Sequence, residues 1–109
     1  MAIEIHTDTP PLRSDASGAV RIGETRVLLE LVIRAFQDGA TPEAIVQRYP
    51  SATLADVYAV IAYYLRHREV VERYLAERDR LAEAMRQRIE AHQGDLSEIR
   101  SRLLARRGA

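Results

Sequence analysis

Two threonines and two prolines limit where this chain can be helical. Thr41-Pro42-Glu43-Ala44 is a helix start. The threonine hydroxyl can accept a bond from a spare N–H of the first turn, and proline suits the first helical position. Pro50 stops this helix, because an interior proline removes a donor and clashes with the preceding turn. Ser51-Ala52 turns the chain, and Thr53 caps a longer helix that continues to Leu65. Ala44, Ile45 and Tyr49 are expected to face inward on the first helix. On the second, the expected face is Leu54, Val57, Tyr58, Ile61 and Leu65, widened by Val60 and Tyr64. A short capped helix, a turn and a longer helix give a helix–turn–helix outline. The same outline suits a plain helical core equally well. Its broad apolar face implies contact on more than one side, including at a dimer interface.

Upstream, Ala2–His6 alternates weakly and reads as a short strand ended by Pro10-Pro11. Leu12–Asp15 and Ala19–Ile22 flank Ala16-Ser17-Gly18. Gly18 can take the positive φ of a tight turn, so a β-hairpin is expected, with Arg13 and Arg21 on its arms. Gly23-Glu24-Thr25 is a second turn. Leu28–Asp38 then repeats apolar residues at helical spacing through Leu28, Leu31, Val32, Ala35 and Phe36, and Gly39 closes the helix.

Downstream the pattern changes after a pause near His67. Arg68–His92 contains neither Gly nor Pro and is densely charged. Val71, Leu75, Ala82, Met85 and Ile89 form a narrow stripe at alternating four- and three-residue steps, interrupted by Arg78. Such a stripe suits packing along one seam. Glu69–Arg73 and Glu83–Arg86 stand at helical ion-pair spacing. Gly94 is expected to break the helix. Asp95 and Glu98 would cap a last short helix bearing Leu96, Ile99, Leu103 and Leu104. The expected organisation is a hairpin plus helix–turn–helix core over 1–67 and an amphipathic helical extension over 68–109.

Catalytic chemistry finds little purchase. His6, His67 and His92 stand far apart without metal-ligand spacing, and there is no glycine-rich phosphate loop. The chain contains no cysteine, which excludes thiolate metal sites and disulfides and fits a reducing cytosol. No signal peptide or membrane span is visible, and a cytoplasmic location is expected. The expectation is therefore a binding protein without cofactor or metal, not an enzyme.

Binding would fall on arginine, since the chain has no lysine. Residues 1–67 carry six arginines and eight acids, and residues 68–109 ten arginines and eight acids. Arg13, Arg21 and Arg26, with Thr53 at a helix start, are the candidate DNA-phosphate contacts. The alternative is that the arginines pair with Asp15, Glu24 or Glu30. The outer positions of the second helix, Ala55, Asp56, Ala59 and Tyr63, make a poor base-reading head. On the extension, Val71, Leu75, Arg78, Met85, Arg86, Arg88 and Ile89 are the candidate partner-binding residues.

Three strings carry a family likeness. They are Gly18-Ala19-Val20-Arg21-Ile22-Gly23-Glu24-Thr25-Arg26-Val27, then Ala35-Phe36-Gln37-Asp38-Gly39-Ala40-Thr41-Pro42-Glu43-Ala44-Ile45, then Leu54 through Leu65 after Tyr49-Pro50-Ser51. In order and spacing they resemble domain-of-unknown-function family 433 (DUF433), whose members are regarded as VapB-type antitoxin-like proteins. The likeness covers roughly residues 10–80. It implies a winged-helix-like domain that holds a PIN-like ribonuclease toxin inactive and represses its own operon as a homodimer. Thr25 and Arg26 match the family's Gly-Thr-Arg, whereas Glu24 stands where that motif has glycine. The lead expectation is thus an antitoxin of a type II toxin–antitoxin system. A stand-alone DNA-binding regulator and a structural dimerisation module are the alternatives.

Overall fold

The computed structural model describes residues 2–107. The elements are β1 (Leu12–Ser14), β2 (Val20–Ile22), α1 (Leu29–Gln37), α2 (Pro42–Arg48), α3 (Leu54–Arg66) and α4 (Arg68–Arg107). The chain is mainly helical, with an N-terminal antiparallel hairpin and a long C-terminal helix. It divides into two compact units, Met1–Val71 and Glu72–Ala109.

In the first unit the hairpin pairs Leu12 with Ile22, Arg13 with Arg21 and Ser14 with Val20. Its turn is organised by Asp15, whose Oδ1 accepts bonds from Ser17 N (2.9 Å), Ser17 Oγ (2.6 Å) and Ala19 N (3.1 Å). Gly18 takes φ +87° there. The second turn, Gly23–Thr25, leads to a single bridge between Arg21 and Leu28. Ala2–His6 forms no strand: residues 2–10 are exposed and lack regular structure.

Local capping chemistry sets the helix ends. After α1, Gly39 N–H bonds Phe36 O and Ala40 N–H bonds Ala35 O, the paired closure of a Schellman motif. Thr41 Oγ1 accepts from Ala44 N at 3.2 Å, and Thr53 Oγ1 from Asp56 N at 3.1 Å. Tyr58 donates to Glu43 Oε1 at 2.5 Å and ties α3 to α2.

Tertiary packing chooses faces other than those expected. On α1 the buried line is Leu29, Val32 and Ile33 with Ala35, while Leu31 is exposed and Leu28 sits outside the helix as its N-cap. The helix packs on β2, α2 and α3, so it is enclosed widely enough to bury Glu30 as well. On α2 only Ile45 is buried, and Ala44 is exposed. On α3 the buried set is Val57, Val60, Ile61 and Tyr64, and Leu54, Tyr58 and Leu65 are exposed. Tyr64 meets Phe36 edge-on at 6.2 Å, accepts from Gln37 Nε2 at 3.1 Å and lies under the Arg68 guanidinium.

The pause at His67 is present: the residue has φ −132° and ψ 47°, outside helical values, and caps α3. Gly94, however, does not end the last helix. α4 continues through it to Arg107, so the separate final helix expected after Gly94 is not formed. A glycine inside a helix costs only about 1 kcal/mol, which a long helix absorbs. The side chains of Asp95 and Glu98, read as a capping pair, lie outside those described. Glu83 and Glu77 form ion pairs with Arg86 and Arg80, whereas Glu69 and Arg73 do not pair.

The two hairpin-side glycines differ in what a methyl group would meet. At Gly18 nothing lies within 4 Å, but at Gly23 (φ +54°) an added Cβ would come 2.8 Å from Asp56 Oδ2. Gly18→Ala is expected to cost about 1–2 kcal/mol from the left-handed backbone alone. Gly23→Ala should cost more, and the excess should disappear in an Asp56→Ala background. Urea unfolding of the four variants measures this, and equal costs in both backgrounds would refute the close approach.

Candidate functional site

The hairpin arginines face each other directly across β1 and β2. Like charges in that position repel unless each is drawn to its own acceptor. Arg13 turns its guanidinium onto the second turn, where Nε donates to Gly23 O and Nη2 to Thr25 O, both at 2.8 Å. Arg21 donates from Nε to Asp15 Oδ2 at 3.2 Å and from Nη1 to Arg26 O at 2.8 Å. Both side chains therefore tie turns together. Arg26 is exposed, and its guanidinium has no partner among the described residues. The Thr53 hydroxyl is occupied as a helix cap. Of the four candidate phosphate contacts, Arg26 alone presents an unengaged group.

Along α3 the exposed residues include Leu54, Ala55, Tyr58, Ala59, Ala62 and Leu65. This surface is apolar, and Arg66 is the helix's one cation. An open groove of about 310 Å³ runs beside it, lined by Asp8–Pro10 and by Ala59, Ala62, Tyr63, Arg66 and His67. Tyr63 and His67 stack there at 4.5 Å. Among the described residues, no group of three or more His, Cys, Asp or Glu is placed to hold a metal.

The partner-binding candidates on α4 divide by exposure. Val71 and Leu75 are 2% and 7% exposed, so they contribute to packing within the chain. Arg78 is half-buried. Met85 and Ile89 are 63% and 50% exposed, and Arg86 and Arg88 beside them are exposed too. Arg86 is paired with Glu83, and Arg88 has no partner among the described residues. Leu81 is exposed too, and it lies one position off the stripe, where periodicity does not mark it.

Asp15 is the strongest electrostatic feature of the hairpin. Its bond from the Ser17 hydroxyl, then those from the Ser17 and Ala19 amides and from Arg21, hold its pKa at about 2 against partial desolvation. A carboxylate with a lowered pKa stabilises the fold above its unfolded value and loses that contribution as pH falls. The hairpin should therefore weaken between about pH 4, the ordinary carboxylate value, and about pH 2. In Asp15→Asn this part of the acid-induced loss should be absent, with lower stability at neutral pH. An unchanged acid profile in denaturant titrations would show that the carboxylate is not engaged.

Residues 15–64 match the model of a family described as "Protein of unknown function (DUF433)", which supports the likeness read in the sequence. No curated protein and no solved structure matches the chain.

Proposed function

We propose that this chain is a non-catalytic protein-binding module of the antitoxin type, which holds a PIN-like ribonuclease inactive through its C-terminal helix. The observation that carries this reading is the exposure of Met85 and Ile89 with Arg86 and Arg88 beside them. Apolar anchors next to arginine are the composition of a protein-recognition surface. A PIN-like nuclease gathers carboxylates to hold its divalent metal, and arginine meets carboxylate in strong, paired hydrogen bonds. Arg88 is available for such a contact, and Arg86 would exchange Glu83 for it. The setting is cytoplasmic on this reading, where both proteins would be made together.

Repression of its own operon through a winged-helix-like core is the second reading. Arg26 favours it, as an exposed cation next to the hairpin. The engagement of Arg13 and Arg21 and the apolar face of α3 weigh against it, since DNA affinity needs several phosphate contacts.

The test is co-purification with the nuclease encoded beside it. The wild-type chain should retain the nuclease, and Arg86→Glu/Arg88→Glu should weaken binding at least about tenfold. Equal retention by both would overturn the role given to these arginines.

A further inference from the structure

We infer that the N-terminal segment Ala2–Thr7 is a strap that closes over the junction of α3 and α4 and seats Ile3 and Ile5 on Leu65 and Val70. The proposal goes beyond nuclease binding and does not depend on it.

The first observation is an alternation with no sheet to serve. Ala2–His6 alternates apolar and polar residues but forms no strand, and Ile3 and Ile5 are left 85% and 88% exposed. Alternation sorts the side chains of an extended segment onto two sides. The polar side is visible in the structure, where His6 Nε2 comes to 4.0 Å from Glu4 Oε2. Ile3 and Ile5 then share the other side as one apolar edge, whose burial is favourable wherever apolar surface is within reach.

The root of the segment sets its path. Pro11 O accepts from Gly23 N at 2.8 Å, and Gly23 lies against Asp56 in the first turn of α3. Asp8–Pro10 line the groove beside Ala59, Ala62, Tyr63, Arg66 and His67. From Pro11 back to Asp8 the chain therefore follows α3 towards its C-terminal end. A second open groove, of about 360 Å³, continues in that direction; it is lined by Leu65–Val70 and shares Arg66 and His67 with the first. The non-helical backbone of His67 breaks the line of α3 there. Leu65 and Val70 are 45% and 55% exposed, so the groove offers two aliphatic side chains to the two of the strap.

Length and charge agree with this seat. Extended chain from Asp8 to Ile3 spans about 17 Å, and helical rise from Ala62 to Val70 covers about 12 Å. The strap carries Glu4 and Asp8, and the groove carries Arg66, His67 and Arg68 against the single acid Glu69. The chain's own segment is the occupant because its tether holds it at an effective concentration of roughly millimolar order, which a free segment does not have. Closed, the strap hides Leu65 and Val70; open, as in this structure, it presents them. Any partner that takes this face must first displace the strap.

The absence of cysteine makes the test direct. A full-length Ala2→Cys chain takes a nitroxide at one place, and NMR reads the broadening it causes at each backbone amide. Closure should broaden the amides of Leu65–Val70 most strongly among those of α3 and the start of α4. Adding Ile3→Asp and Ile5→Asp should cut that broadening at least about fivefold, because closure then sets two carboxylates against leucine and valine. Leu65→Asp with Val70→Asp should have the same effect from the other side. Circular dichroism checks that these surface variants keep their helices. Broadening that both pairs of substitutions leave unchanged would show a segment merely tethered nearby and would overturn the strap. Broadening greatest at Leu54–Ala59 would overturn its path. A nitroxide-bearing chain mixed with an isotope-labelled chain lacking the nitroxide should broaden nothing. Broadening of Leu65–Val70 in that mixture would give the groove to a second copy and overturn closure within the chain.

Discussion

One aliphatic cluster holds the first unit together. Ile22 of β2, Val32 and Ile33 of α1, Ile45 of α2, and Val57 and Val60 of α3 are its fully buried side chains. Each is worth about 1.5–3 kcal/mol on burial, and the cluster draws on β2 and on all three helices of the unit. The hairpin belongs to this cluster through Ile22 and Ala19, which explains why two short strands persist where an isolated hairpin would be marginal. The turns around it can then be held by polar groups at the surface. Asp15 collects three donors from its own turn, and Arg13 and Arg21 collect carbonyls from the next.

That arrangement changes how the arginines are read. A chain whose cations are all arginine invites a nucleic-acid interpretation. Here two of the most suggestive cations are fastened to backbone carbonyls, which lysine's single ammonium would serve less well. Arginine is acting partly as a planar, multi-donor brace. Exposed cations lie elsewhere, Arg26 and several along α4 among them. The weight of the functional reading moves with them, from the capped helix pair towards the C-terminal helix.

What the sequence disclosed follows from how local each determinant is. Caps are local chemistry: Thr41, Thr53 and Gly39 each satisfy backbone groups within a few residues, and all three act as their identities imply. The faces of α1 and α3 were less legible. Both helices carry apolar residues round much of their circumference, so periodicity alone cannot say which side neighbours will cover. Leu31, Leu54, Tyr58 and Leu65 fit an inward face by spacing and lie outward for that reason. Gly94 misled in the opposite sense, since a helix breaker acts only where the helix has little else to support it. Of the candidate site residues, Arg13 and Arg21 could have been recognised as braces from their facing positions on the hairpin. Val71 and Leu75 look the same in sequence as Met85 and Ile89, and only the fold separates the buried pair from the exposed one.

The central claim is that the outward face of α4 around Met85 and Ile89 holds the nuclease, and backbone hydrogen exchange tests it without altering the protein. Amides across residues 81–92 should become more protected when the nuclease is added, while those of α1 to α3 keep the same protection throughout. Protection over 81–92 that the nuclease leaves unchanged would contradict it.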